Sequence, residues 1–210
     1  MNFSTALDQL PLIAVLRGIT PAEATAVGLA LDKAGFSIIE ATMNSPSPLA
    51  TIEALVANHG EHMLVGAGTV LRPHEVDDVA AAGGRIIVSP NMCPDVIRRT
   101  RDRGLISVPG VFTPSEAFAA IDAGANALKL FPAEAIAPRV VRAMKAVLPP
   151  DIPLLVTGGI TADNLVDYLR VGARGAGMGS ALYKPGKPAD EVAAAGLAFK
   201  AAYARALESL

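Results

Sequence analysis

The feature that most limits what this chain can fold into is an eightfold alternation. Apolar runs rich in Ile, Val and Leu fall at 12–18, 37–43, 63–70, 85–90, 105–111, 127–132, 153–159 and 173–183. Each is followed by a stretch with helical character, at 20–34, 49–59, 74–82, 95–103, 115–123, 139–148, 162–170 and from about 190. Helix starts are marked by Thr20-Pro21-Ala22-Glu23 and Thr113-Pro114-Ser115-Glu116, capping boxes with proline at the first helical position. Helix ends are marked by Ala34-Gly35, Arg103-Gly104 and Ala123-Gly124, as left-handed caps require.

Eight strand–helix pairs in 210 residues predict an α/β fold, a (β/α)8 TIM barrel at the small end of its range. A short N-terminal helix over 2–9 reads as a lid ahead of the first strand. A doubly wound open sheet is the alternative. The count of eight, and the lack of a dinucleotide loop after the first strand, favour the barrel. With no linker or low-complexity segment, residues 1–210 read as a single barrel domain.

Composition excludes several function classes. Hydrophobic residues make up 51% and charged residues 18% of the chain, yet no apolar run approaches the roughly 18 residues of a membrane helix. The first twenty residues lack the pattern of a signal peptide, and the single cysteine, Cys93, cannot build a disulfide framework. A cytoplasmic protein without membrane partners is expected. A net charge of −2 with no basic cluster speaks against nucleic acid, and the bland surface suits a homo-oligomer.

In such a barrel the site lies at the C-terminal ends of the strands, and side chains alternate inward and outward. In the sixth run Leu128 and Leu130 suit the helix-facing side, so Lys129 and Phe131 point inward. In the second, Ile39, Ala41 and Met43 suit the outside, which turns Glu40 and Thr42 inward. The first run ends in Arg17 and the third in Thr69, so the mouth gathers Arg17, Glu40, Thr69 and Lys129. Of six lysines, Lys129 alone sits within an apolar strand. A buried lysine loses its proton readily and becomes a nucleophile toward a ketone. The alternative is a Lys129–Glu40 ion pair holding the core, but buried pairs stabilise poorly compared with apolar replacements. Phe131 would keep the amine dry, and Pro90 and Pro132 would shape the rim.

A second signal is phosphate binding. "VTGGI" closes the seventh strand and "GAGMGSALY" the eighth. Backbone N–H groups at glycines, near a following helix N-terminus, suit an anion, and this fold binds phosphate after its last two strands. Gly158, Gly159, Gly179 and Ser180 are the expected contacts; glycines that merely permit tight turns are the alternative. His59, His62 and His74 lie on or beside helices and read as surface residues, which leaves no metal site and no cofactor expected. Cys93 has no histidine placed to activate it.

With these residues in place, the chain resembles the 2-keto-3-deoxy-6-phosphogluconate and 2-keto-3-deoxy-6-phosphogalactonate aldolases over nearly its whole length. The carriers are "LPLIAVLRGITPAEA", "IIEATMNSP", "VGAGTVL", "IIVSPN", "ALKLFPAE" and "VTGGI", in that order. The resemblance implies a class I aldolase in which Lys129 forms the Schiff base and Glu40 is the general acid/base. It implies that Arg17 and Thr69 bind substrate, that the glycines of the last two strands surround its phosphate, and that the chain forms a trimer. The partners are then a phosphorylated keto sugar acid, pyruvate and glyceraldehyde 3-phosphate. Asn44, in "MNSP", looks like the phosphogalactonate type, whereas Thr157 before "GGI" and Ala133-Glu134 after "LFP" look like the phosphogluconate type. Thr157 could hydrogen-bond a substrate hydroxyl and so select the epimer at C4; the phosphogalactonate substrate is the leading reading, with dual specificity open. A phosphate-binding barrel isomerase, or a barrel that only binds a metabolite, would share the glycine loops without needing the lysine.

Overall fold

The computed structural model describes residues 1–208. Its strands are β1 (Leu12–Leu16), β2 (Ile38–Thr42), β3 (Leu64–Gly68), β4 (Ile86–Val88), β5 (Ile106–Val108), β6 (Gly110–Val111), β7 (Leu128–Leu130), β8 (Leu154–Thr157) and β9 (Gly175–Met178). All pair in parallel, in the order β5-β4-β3-β2-β1-β9-β8-β7-β6. Only Pro109 separates β5 from β6, so the two outer strands of that order are one stretch of chain and the sheet closes on itself. This corrects the expected unbroken strand at 105–111. Proline has no N–H to give a ladder, so the strand breaks there. Its carbonyl still accepts from the N–H of Lys129 at 2.9 Å, which keeps β7 in register.

The helices are α1 (Phe3–Gln9), α2 (Pro21–Ala34), α3 (Pro48–His59), α4 (Pro73–Ala81), α5 (Pro94–Asp102), α6 (Pro114–Asp122), α7 (Pro138–Lys145), α8 (Leu165–Leu169) and α9 (Ala189–Leu207). From α2 to α7 every helix opens on proline, whose fixed φ and missing N–H suit the first helical position. The two expected boxes form: Glu23 Oε2 accepts from the N–H of Thr20 at 3.0 Å, and Glu116 Oε2 from that of Thr113 at 2.8 Å. Gly35, Gly104 and Gly124 all take positive φ at the helix ends, as expected.

Alternation along the strands splits the core into two shells. Leu128, Leu130, Ile39 and Ala41 pack outward against the helices. Ile13, Ile38, Leu64, Ile86, Ala127 and Leu155 fill the lumen. Ala6 and Leu7 of α1 join this inner group, and the carbonyl of Ala6 accepts from Ser37, just ahead of β2, at 3.1 Å. The expected lid is therefore a helix that closes the floor of the barrel, at the N-terminal ends of its strands, and leaves the mouth open.

Glu23 does more than cap α2. Its Oε1 accepts from Tyr183 Oη at 2.9 Å and from the N–H of Gly186 at 3.1 Å, tying the loop after β9 to the start of α2. Burial works to raise its pKa, but these bonds and those from Thr20 outweigh burial and hold it below the ordinary value. Glu23→Ala should lower unfolding stability by about 1.5–3 kcal/mol, the range for hydrogen bonds to a charged group, read as a lower urea midpoint at unchanged slope.

Candidate active site

The alternation places Lys129 and Glu40 as the sequence predicts. Both point into the lumen and are 6% and 1% exposed. They sit on β7 and β2, which are not neighbours in the sheet, so they approach each other across the barrel axis. Among the described residues neither side chain has an ion-pair or hydrogen-bond partner, and Glu40 Oε2 is sealed from solvent. Burial pushes the Lys129 amine down from its ordinary pKa; Glu40 opposes that, and Arg17 adds to it. Burial pushes the Glu40 carboxyl up, against the pull of Lys129 and Arg17. For both groups desolvation outweighs mutual attraction, and both are driven toward their neutral forms. The Lys129 ammonium position lies 5.2 Å from the centroid of the Phe131 ring.

Two cavities meet at the lysine. Below it a narrow void of about 10 Å³ is lined by Val15, Glu40, Val88, Val108 and Thr157 among others. Above it a cavity of about 520 Å³ opens to solvent, within the range of small-molecule sites. Of the predicted residues, Arg17, Lys129, Phe131, Thr157, Gly158, Gly159, Gly179 and Ser180 line this mouth cavity. The N–H groups of Gly159 and Ser180 have no acceptor among the described residues, and neither does the Thr157 hydroxyl. A second cavity of about 530 Å³, bordered by Lys145, Arg170 and Tyr203, holds none of the predicted residues.

Asn44, Thr69 and Pro90 do not line the mouth cavity. Asn44 Oδ1 accepts from Arg17 Nη1 at 2.8 Å, and Thr69 Oγ1 lies 3.5 Å from the same nitrogen. Thr69 is held at φ 59°, in the left-handed region that a threonine rarely adopts. These two side chains thus bracket the guanidinium. Pro90 instead packs its carbonyl against Gly110, where a side chain would collide.

Sequence reasoning missed Lys184 and Glu134, which also border the mouth cavity. Lys184 stands four residues past Ser180, and a cation so near a glycine loop was the available signal. Glu134 brings a carboxylate beside Gly159, so Arg17 and Lys184 must outweigh it if an anion is to bind there. The expected helix N-terminus is not beside the glycines: α8 is a five-residue helix, and α9 starts nine residues past Ser180. Anion binding must rest on free N–H groups and these two cations. One further expectation is corrected. His59 is 4% exposed, not a surface residue, because Gly28 of α2 leaves room for its ring.

A closed parallel barrel with an unpaired amine between a sealed carboxyl and an open mouth defines a class: a (β/α)8 barrel equipped for carbonyl chemistry. The chain belongs to the KDPG and KHG aldolase family, whose pattern it matches over residues 3–194. It is 47% identical over 201 residues to a 2-dehydro-3-deoxy-6-phosphogalactonate aldolase of Escherichia coli K12, covering 95% of this chain and 98% of that one. A solved native KDPGal structure superposes with a TM-score of 0.94 at 46% identity, covering 95% of this chain and 97% of the other. A KDPG aldolase from Legionella pneumophila, captured with pyruvate as a covalent carbinolamine, superposes with a TM-score of 0.82 at 27% identity, covering 92% and 96%.

The Lys129 amine should titrate below the ordinary lysine value of 10.5. Arg17→Leu removes a positive charge that pushes it down, so its titration should move to higher pH. The pH dependence of Lys129 acylation, followed by peptide mass spectrometry, measures both; an ordinary titration unmoved in the variant contradicts the electrostatic account.

Proposed function

We propose that this chain cleaves 2-dehydro-3-deoxy-6-phosphogalactonate to pyruvate and glyceraldehyde 3-phosphate through a Schiff base on Lys129. The observation that carries the reading is the unpaired Lys129 amine, enclosed on the Glu40 side and open on the other. Neutral Lys129 attacks the C2 ketone, and the carbinolamine loses water to give an iminium ion. Glu40, driven toward its neutral form in the empty site, gives its proton to the departing hydroxyl and then, as the carboxylate, takes the proton from the C4 hydroxyl, directly or through one water. The C3–C4 bond then breaks, its electron pair flows into the iminium, and glyceraldehyde 3-phosphate leaves. The enamine takes a proton at C3, and hydrolysis releases pyruvate and the free amine. Arg17 supplies charge-assisted hydrogen bonds to a substrate anion, with Asn44 and Thr69 orienting it. Thr69 also stands close enough to the guanidinium to share the keto-acid carboxylate. Gly158, Gly159, Gly179 and Ser180 receive the phosphate, with Lys184 beside them. Phe131 shields the amine.

The substrate follows the relative that shares almost the whole chain. Support for a covalent route comes from the carbinolamine in the Legionella protein. The homotrimer stays with this proposal, supported by large apolar side chains such as Phe112 and Phe118, 46% and 41% exposed. So does a cytoplasmic setting; no helix among the described residues is long and apolar enough to cross a membrane.

Borohydride added with pyruvate should leave a reduced adduct on Lys129 alone. Folded protein without an adduct would remove the covalent route and restore the phosphate-binding isomerase. Glu40→Gln should lower kcat by about 10²–10⁴-fold, the span of general acid–base catalysis, with little change in KM; an equal loss in both counts against the role. Thr157 carries the epimer question. Its unpartnered hydroxyl suits the C4 hydroxyl of the gluconate epimer. Thr157→Val should therefore raise the galactonate-to-gluconate ratio of kcat/KM about tenfold, the worth of one hydrogen bond.

A further inference from the structure

We propose that the chain carries a transition-metal site of the zinc class, remote from the mouth, formed by Asp32, His59 and His62. One ligand atom from each residue lies within 4.8 Å of the others. Asp32 is in the last turn of α2, His59 ends α3, and His62 lies in the turn that follows. Both helices run back against the strands, so their C-terminal ends meet at the floor of the barrel.

The Asp32–His62 spacing fits a shared ion better than a direct contact, and a small shift of the His59 ring would complete the set. Asp32 Oδ2 and His62 Nε2 stand 3.5 Å apart, too far for a good hydrogen bond. A tetrahedral zinc with bonds of about 2.0–2.1 Å separates neighbouring ligand atoms by about 3.3 Å. His59 supplies the second, independent feature. Its ring is 4% exposed and lies against Gly28, where a Cβ would stand 2.5 Å away. Its Nε2 is 3.3 Å from the carbonyl of Thr25. A carbonyl only accepts, so Nε2 carries the proton and Nδ1 keeps its lone pair. Metal-binding histidines are commonly held this way, one nitrogen donating to a carbonyl so that the other is left to ligate. Two imidazoles and one carboxylate suit Zn²⁺ or Ni²⁺ rather than Mg²⁺ or Ca²⁺. His62 is 55% exposed at its side chain, which leaves the fourth position to water. The bound ion would clamp α2 to α3.

The test is calorimetric titration of tag-free, chelator-washed protein with Zn²⁺ alone. One equivalent per chain is expected, with affinity falling at least tenfold in Asp32→Ala and in His62→Ala. Both side chains are solvent-accessible, so circular dichroism should show each variant folded. His74→Ala, remote from the cluster, should bind as the parent does. Zn²⁺ should raise the melting temperature of the parent and not of the two variants. No saturable binding, or binding unchanged in both variants, overturns the site. Pyruvate trapping at Lys129 should proceed alike with and without the ion, so the outcome is independent of the proposed reaction.

Discussion

Desolvation of one amine is the constraint on which the mouth of this barrel depends. Lys129 would keep its proton in water; in the lumen, apolar side chains on the neighbouring strands replace the water that would stabilise the charge. Glu40 is placed to compensate and does not do so fully, because the two groups approach from opposite sides of the barrel without contact. Glycines keep the lumen open for them. A side chain at Gly68 would run into the Glu40 carboxylate, and one at Gly177 would stand 2.6 Å from Thr157 Oγ1. These two strand glycines thus make room beside the reactive groups. A tighter lumen would force Lys129 and Glu40 together into a pair and end the amine's availability.

Most of this was legible in the sequence because period-two alternation is a strict rule. Once Leu128 and Leu130 were assigned to the helices, Lys129 had to enter the lumen, and the same step fixed Glu40. Gly158, Gly159, Gly179 and Ser180 after the last two strands marked the lining of the mouth cavity for a similar reason: a backbone left open to a cavity has few residue types to choose from. What escaped depends on contacts between distant segments. Asn44 and Thr69 both reach the mouth, but only the folded chain shows them bracketing Arg17 instead of facing the cavity. His59 looked like a surface residue because its partner, Gly28, lies on another helix. The floor position of α1 was hidden because an amphipathic first helix can close either end of a barrel.

The mouth loops are joined in two arcs. Arg17 with Asn44 and Thr69, and Ser45 accepting from the N–H of Gly18 at 2.8 Å, unite the loops after β1, β2 and β3. Glu23 with Tyr183 and Gly186 unites the start of α2 with the loop after β9, where Pro185 leaves no room for a side chain on Gly18. Both arcs run through the segment after β1, so the cation at its head, Arg17, is held from both sides.

That position gives Arg17 two effects of opposite sense in the proposed reaction. In the empty site its charge lowers the pKa of Lys129 and so favours the neutral amine that must attack. When an anionic substrate binds, its charge offsets that of Arg17 as felt at Lys129. The site then becomes more tolerant of positive charge at the lysine nitrogen, and the next species formed there is the iminium cation. The same residue therefore favours a neutral nitrogen before the substrate arrives and a charged one afterwards, with no movement of the barrel. A lysine paired with Glu40 would gain much less from this exchange, because its charge would already be balanced before the substrate entered.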